Sequence, residues 1–207
     1  VAYGPDEAIR HAARLPLPLV VKGNTHGATI VQSLTEVGPA AAAHACGSGY
    51  PVLLQELVPG TEFDLAALGS AQGELIGAVP MKKLQLDDRG KAWGALTVED
   101  PAIHELASRV MRGLKWTGAM ELELIRHQST GELYLIEINP RSPAWIHLAA
   151  AAGQNLPWAL LQLSMGEAVP RFQGYFVGVL QLRQAFDVTC SLGGYESLVS
   201  HGEVDLE

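Results

Sequence analysis

The sequence predicts an α+β protein in which antiparallel strand pairs and helices share one chain. Two hairpins support this class, because the turn-rich segments GNTHGAT and RHQSTGE each join two apolar runs. A helix is predicted after Asp100, a capping residue, and Pro101, a first-turn residue. Apolar residues recur there at helical spacing, at Ile103, Leu106, Val110 and Leu114.

The first quarter of the chain predicts two helices and three strands. One helix begins after Pro5 and ends at the segment PLP, and the strand LVVK follows. A hairpin is expected between Val21 and Val31. An alanine-rich helix is expected after Pro39 and ends at CGSG, and PVLLQELVPG then forms a strand that closes on a Pro-Gly turn.

The remaining chain predicts further strand pairs and then helices. EFDLAAL and ELIGAVPMK pair around GSAQG, and MELELI pairs with LYLIEIN. PAWIHLAAAAG predicts a helix ended by Gly153, and a second helix runs from Pro157 through Leu163. We expect a strand from Phe172 to Phe186, and the last twenty residues favour neither helix nor strand.

Composition excludes several classes of function. The chain has 207 residues, a formal net charge of −8 and only two cysteines. An acidic chain without a run of Lys and Arg is not expected to bind nucleic acid or an anionic membrane surface. Cysteines without Cys-x-x-Cys spacing disfavour a zinc site and favour the cytoplasm. Because the chain opens on Val1 and runs straight into a helical segment, we expect it to belong to a longer protein.

The segment LYLIEINPRS, residues 133–142, predicts a polar site at the end of an apolar strand. Strand alternation places Glu137 and Asn139 on one face, and Pro140 ends the strand because it has no N–H to donate. Arg141 adds a cation beside them. A carboxylate, an amide oxygen and a guanidinium suit Mg²⁺ with an anionic ligand such as phosphate. A strand end with solvated polar side chains is the alternative.

Glu123 strengthens the metal prediction, because hairpin pairing can bring it beside Glu137. Alternation places Glu121 on the same face as Glu123. At roughly 4 Å and an effective dielectric of about 20, two like charges cost on the order of 4 kcal/mol. Either a cation neutralises such a pair or one carboxyl stays protonated. Acid–base catalysis is the rival role, but no nucleophile or histidine pair supports it, and we favour a metal.

Lys22 ends the strand PLVVK and precedes a glycine-bearing loop, so an ammonium lies next to backbone N–H donors. This combination suits phosphate oxygens. The loop lacks the spacing of a P-loop or a dinucleotide fingerprint, and a hairpin loop with a solvated lysine is an equal alternative. His26 is more typical of a loop residue than of a ligand.

The segment LLQELVPGTEF predicts a hinge between two strands. Backbone groups of Leu57 and Val58 can contact an adenine edge, and Glu62 can accept hydrogen bonds from ribose hydroxyls. An ordinary strand-turn-strand with exposed acids is the alternative. We expect Lys82 and Lys83 on a solvated face.

Four segments in this order, PLVVKGNTHGA, QELVPGTEF, GAMELELI and LYLIEINPR, resemble the ATP-grasp superfamily of carboxylate ligases, from about residue 6 to about residue 167. The resemblance implies ATP between two α+β subdomains with largely antiparallel sheets, at residues 1–57 and 58–170. A strand-rich extension follows at 171–207. The loop from Gly23 to Ala28 is then a flap over the phosphates. The implied nucleotide-binding residues are Lys22, Gly23, His26, Gly27, Gln55, Glu56, Leu57, Val58 and Glu62.

By the same resemblance, Glu123, Glu137 and Asn139 hold Mg²⁺, which Mn²⁺ can replace. Arg141 and Lys22 are the implied catalytic residues, and Arg141 faces the transferred phosphoryl group. The implied reaction phosphorylates a small-molecule carboxylate with ATP, and an amine or a related nucleophile then attacks the acyl phosphate.

Two departures narrow the resemblance. The flap is shorter and less glycine-rich than in biotin carboxylases, and NPRSPAWIH lacks the residues that follow the arginine there. The sequence is closer to the carbamoyl-phosphate-synthase-like branch. Family members also carry an upstream domain, so we expect this chain to be inactive alone. A non-catalytic nucleotide-binding module and a phosphotransferase that releases a free acyl phosphate are the alternative functions.

Overall fold

The computed structural model describes residues 1–24, 27–86, 92–184 and 189–202. Within these ranges the chain forms two antiparallel sheets with helices, which confirms the predicted α+β class. The helices are α1 (Pro5–Ala12), α2 (Leu34–Ser48), α3 (Pro101–Leu114), α4 (Ile146–Ala151), α5 (Leu156–Ser164) and α6 (Leu192–His201). The strands are β1 (Leu19–Lys22), β2 (Ala28–Val31), β3 (Leu53–Glu56), β4 (Gly60–Gly69), β5 (Leu75–Leu86), β6 (Ala92–Thr97), β7 (Gly118–His127), β8 (Leu133–Asn139) and β9 (Leu180–Leu182).

The N-terminal sheet has the strand order β2–β1–β3 and is covered by α1 and α2. β1 and β2 form the predicted hairpin. The predicted start of α2 after Pro39 is wrong, because the helix begins at Leu34 and includes the proline. Glu36 stabilises this earlier start, since its carboxylate accepts hydrogen bonds from the Gln32 amide and the Ser33 hydroxyl.

The larger sheet has the strand order β8–β7–β4–β5–β6–β9. Successive side chains along its strands point to opposite faces, so that the sheet contributes to two apolar cores. Leu65 on β4 packs with α3 on one face, and Leu68, three residues further along the strand, packs with α4 and α5 on the other. Both leucines are fully buried. The sheet is therefore covered by apolar packing on both faces, and the buried polar side chains on its strands include Asp64 and Glu121.

Asp100 caps α3 as predicted. Its carboxylate accepts hydrogen bonds from the amides of Ala102, at 3.1 Å, and Ile103, at 3.3 Å. The other carboxylate oxygen forms an ion pair with Arg126 on β7. The cap therefore joins the start of the helix to the sheet beneath it.

The predicted hairpin of β7 and β8 is present, but strict alternation along β8 is wrong. The register shifts between residues 123 and 124, so that Ile136 is an extra residue in β8. Such a bulge reverses the alternation. Leu133 and Ile138, which alternation assigns to opposite faces, accordingly pack against the same core. Glu137 and Asn139 both follow the bulge and still share a face.

The predicted strand from Phe172 to Phe186 is wrong for most of its length. Of the residues described there, only Leu180–Leu182 form a strand, and residues 185–188 lie outside the described ranges. Gly178 has a φ of +84°, which interrupts an extended conformation. The amides of Phe172 and Phe176 donate to two separate parts of the fold, so this segment crosses the core without joining one ladder.

Two elements were not predicted at all, β6 and α6. The division of the chain at residues 57 and 170 stays a prediction. None of the helices in the described ranges is long and apolar enough to cross a membrane.

Candidate functional site

The two sheets approach each other at Lys22 and Glu137. The Lys22 Nζ lies 3.8 Å from the Glu137 Oε2, although β1 and β8 belong to different sheets. The lysine side chain is 18% exposed and the glutamate side chain 48% exposed, so this contact is open to solvent on the β8 side. The structure thus brings the predicted phosphate-binding lysine to one of the predicted metal ligands.

The three predicted metal ligands lie together. Glu123 and Glu137 are direct cross-strand partners in the β7–β8 hairpin. The Asn139 Nδ2 donates to the Glu123 Oε1 at 3.1 Å, which leaves the amide oxygen of Asn139 for another partner. Two carboxylates and an amide oxygen are the donor types that Mg²⁺ prefers. These residues therefore fit Mg²⁺ by donor chemistry.

Further ligands would have to come from phosphate and water. No three His, Cys, Asp or Glu side chains in the described ranges form a group that could hold a metal ion. Mg²⁺ commonly binds through one or two carboxylates and completes its shell with substrate phosphates and water. Two carboxylates and one amide oxygen are thus enough protein donors for a Mg²⁺ ion that also binds phosphate and water.

Lys83 belongs to this site, and its predicted solvated position is wrong. Its side chain is only 7% exposed, and Nζ lies 3.3 Å from Glu62, 3.2 Å from Asp64 and 3.7 Å from Glu123. The alternation of β5 was the missed signal, because Lys83 continues the face on which Met81 is buried. Lys82 has the opposite parity and makes no ion pair among the described residues.

The carboxylates around Lys83 outnumber it. Burial raises the pKa of Asp64 to about 7; Lys83 opposes this shift, and the Glu123 and Glu121 carboxylates add to it. Burial lowers the pKa of Lys83, but Asp64, Glu123 and Glu62 together outweigh burial and raise it to about 12. One ammonium shared by three carboxylates leaves a net negative charge. The site therefore favours a further cation.

Arg141 follows β8 and contacts a second buried carboxylate. Its Nη1 donates to the Glu121 Oε2 at 2.9 Å, and the Trp145 Nε1 donates to the Glu121 Oε1 at 2.8 Å. Burial raises the pKa of Glu121, and the hydrogen bond from Trp145 and the charge of Arg141 oppose that shift. Sequence reasoning placed Glu121 on the correct face but assigned it no role.

The remaining predicted residues that the structure describes lie on or beside β1, β3 and β4. Leu57 and Val58 are half-buried in the connection between β3 and β4. Glu62, the predicted ribose ligand, lies on β4 beside Lys83. His26 lies outside the described residues. The other predicted nucleotide-binding residues end β3 or flank the loop after β1, and they are Gly23, Gly27, Gln55 and Glu56.

The fold and the site define an ATP-grasp protein, and a comparison of sequences agrees. The sequence profile of one family, described as "ATP-grasp in the biosynthetic pathway with Ter operon", matches residues 49–183. The match covers more than half of the chain, and the chain belongs to this ATP-grasp family. No curated protein sequence matches the chain.

Three solved structures share the fold at low identity. Biotin carboxylase from Campylobacter jejuni, in a complex with β-γ-ATP, has a TM-score of 0.71 at 16% identity, covering 86% of this chain and 43% of its own. The biotin carboxylase domain of 2-oxoglutarate carboxylase from Hydrogenobacter thermophilus, in complex with MgADP, ADP and bicarbonate, has a TM-score of 0.68 at 19% identity. That match covers 82% of this chain and 40% of the other. N5-carboxyaminoimidazole synthase from Aspergillus clavatus, in complex with ADP and 5-aminoimidazole ribonucleotide, has a TM-score of 0.69 at 18% identity. That match covers 86% of this chain and 48% of the other. The chain thus spans less than half the length of each.

Proposed function

We propose that this chain is the nucleotide-binding part of an ATP- and Mg²⁺-dependent ligase. The ligase activates a carboxylate as an acyl phosphate, which an amine or a related nucleophile then attacks. The observation that carries the proposal is the contact of Lys22 with Glu137 beside Glu123, because it sets a cation on one sheet against carboxylates on the other. Membership of the ATP-grasp family supports the same class.

The side chains act in this proposal by positioning and by neutralising charge, which is the main task of a protein in phosphoryl transfer. Mg²⁺, when bound, neutralises phosphate charge, and Glu123, Glu137 and Asn139 would hold it. Lys22, which lies on the N-terminal sheet opposite these ligands, contacts phosphate oxygens. Arg141 faces the transferred phosphoryl group.

The adenosine end of the nucleotide lies toward the connection between β3 and β4. Backbone groups of Leu57 and Val58 contact the adenine, and Glu62 accepts hydrogen bonds from the ribose. Lys83 holds Glu62 and Glu123 in place through its ion pairs. The carbamoyl-phosphate-synthase-like branch stays a prediction, because likeness at this identity shows the fold alone.

The first test is the thermal stability of this chain with ATP and Mg²⁺, with ATP and EDTA, and with Mg²⁺ alone. Ligand at about a hundred times Kd raises the free energy of unfolding by roughly 2.7 kcal/mol. We expect a shift only when ATP and Mg²⁺ are both present, and Glu137→Gln abolishes it. Glu132→Gln is the matched control, because this exposed glutamate lies on the same hairpin at the turn end. A shift in Glu137→Gln equal to that of the wild type would refute the metal assignment.

A second test separates the ligase from its alternatives, and it uses the longer protein as well as this chain. The alternatives are a non-catalytic nucleotide-binding module and a phosphotransferase that releases a free acyl phosphate. ADP release that needs both a carboxylate and an amine from a broad panel supports the ligase. Release with a carboxylate alone indicates a phosphotransferase, and nucleotide binding without turnover indicates the module.

A further inference from the structure

We infer that Glu121 is a positioning residue that holds Arg141 toward the phosphoryl group, and that Trp145 holds Glu121 in turn. The inference rests on the proposed function, in which Arg141 faces that group. It adds two residues to the site, neither of which binds nucleotide or metal in the proposal.

Both oxygens of the Glu121 carboxylate are used. Oε2 accepts from Arg141 at 2.9 Å and Oε1 accepts from the Trp145 indole at 2.8 Å. Trp145 is itself 7% exposed and packs in the core formed with α4 and α5. A carboxylate within β7 that is bonded to a buried indole cannot change its orientation without losing a buried hydrogen bond. Glu121 therefore offers Arg141 a fixed partner.

Arg141 needs such a partner because its side chain is 57% exposed. An exposed arginine has many rotamers, and a charge-assisted bond to a buried carboxylate selects among them. Within the described ranges the Arg141 side chain makes two hydrogen bonds. Nη1 donates both of them, to Glu121 and to the Ser142 carbonyl. A guanidinium has five N–H donors. Nε and Nη2 consequently remain to donate to an anion on the exposed side.

The dependence is reciprocal. A buried carboxylate is destabilising unless its hydrogen bonds are made, and Arg141 supplies one of the two bonds to Glu121. If Glu121 acts through Arg141, its replacement has no effect on ligand discrimination once Arg141 is gone. If Glu121 serves only the core, its replacement affects ATP and ADP equally and independently of Arg141.

The first experiment measures the dissociation constants of MgATP and MgADP for the wild type, Glu121→Gln, Trp145→Phe, Arg141→Ala and the double variant Glu121→Gln/Arg141→Ala. Arg141→Ala is expected to lower the preference for MgATP over MgADP by roughly tenfold, the value of one charge-assisted bond. Glu121→Gln and Trp145→Phe lower it in the same direction by less. The double variant should equal Arg141→Ala. The inference is overturned if Glu121→Gln leaves the preference for MgATP unchanged. It is also overturned if Glu121→Gln lowers this preference as much in Arg141→Ala as in the wild type.

The second experiment needs no nucleotide, and it separates failure of the inference from failure of the proposed function. Phenylglyoxal modifies guanidinium groups, and mass spectrometry follows the rate at each arginine. Arg112 is the reference, because its side chain is 61% exposed, close to the value for Arg141. We expect slower modification of Arg141 than of Arg112, and Glu121→Gln should raise the rate at Arg141 alone. An unchanged rate at Arg141 overturns the inference even when nucleotide binds, whereas a chain that binds neither nucleotide refutes the proposed function only.

Discussion

Lys22 and Glu137 contact each other across two sheets, with the lysine Nζ 3.8 Å from the glutamate Oε2. Both side chains are partly exposed, and such ion pairs contribute only about 0–1 kcal/mol to stability. The pair therefore contributes little to holding the sheets together. Its consequence is electrostatic, because it sets a cation on one sheet against carboxylates on the other.

Replacing Lys22 by Met should weaken MgATP binding at least tenfold, roughly the value of a charge-assisted contact to phosphate. The free energy of unfolding should change by less than about 1 kcal/mol. Isothermal titration calorimetry and urea denaturation measure the two quantities. Lys82→Met is the control for loss of a lysine, and a Lys22→Met variant that binds as tightly as this control contradicts the assignment.

Lys83→Met and Lys82→Met should differ strongly although the residues are adjacent. Removing the buried Lys83 leaves Glu62, Asp64 and Glu123 without their shared cation, and we expect a loss of about 3 kcal/mol. Lys82→Met should change stability by no more than about 0.5 kcal/mol. Urea denaturation of the two variants gives both values. Equal losses would show that Lys83 is not the buried partner of the three acids.

The stability of the protein should fall as pH rises through the titration of Asp64. Its pKa is raised from 3.8 to about 7, so the folded state binds this proton more tightly than the unfolded state. The resulting stabilisation is complete below about pH 4 and is lost as pH approaches about 7. The asparagine in Asp64→Asn does not titrate. The free energy of unfolding of the wild type, minus that of Asp64→Asn, should therefore decrease by on the order of a few kcal/mol from pH 4 to pH 8.

This prediction is checked by urea denaturation at several pH values. Asp6→Asn serves as the control, because Asp6 is an exposed residue of the first turn of α1. The comparison with Asp6→Asn shows how much of any change comes from replacing an exposed aspartate. A curve for Asp64→Asn parallel to that of the wild type would mean that the pKa of Asp64 is not raised on folding and that Lys83 compensates its burial.

Two helix caps should differ in their effect on global stability. Asp100→Ala removes the cap of α3 and the ion pair with Arg126, and we expect a loss of about 2 kcal/mol. Ser191→Ala removes the cap of α6, a helix without buried residues, and should leave the free energy of unfolding within about 0.5 kcal/mol. Thermal or urea unfolding of both variants tests the pair. A larger loss for Ser191→Ala would show that α6 takes part in the cooperative core.

Local rules predicted the features that depend on a few neighbouring residues. Turn chemistry predicted the β7–β8 hairpin, but the register at its turn, Arg126 with Leu133, would place Glu123 opposite Ile136, and only the bulge brings Glu137 opposite Glu123. The Asp100 cap needed only its own helix. The bulge at Ile136 was missed, because an apolar run of this kind shows no sign of an extra residue. The long strand predicted after Phe172 was wrong because an apolar run does not show which elements its backbone will bond. The amide of Phe172 donates to Ile76 and that of Phe176 to Ala152, so these residues do not pair along one strand.

The sequence by itself determined the α+β class, the hairpin of β7 and β8, and the face that Glu137 shares with Asn139. Only the tertiary structure decided that Lys22 reaches Glu137, that Lys83 and not Lys82 is buried among the acids, and that Glu121 bonds both Trp145 and Arg141. Periodicity and turn chemistry act over a few residues, whereas the distance between two sheets and the burial of a charge depend on how distant segments pack.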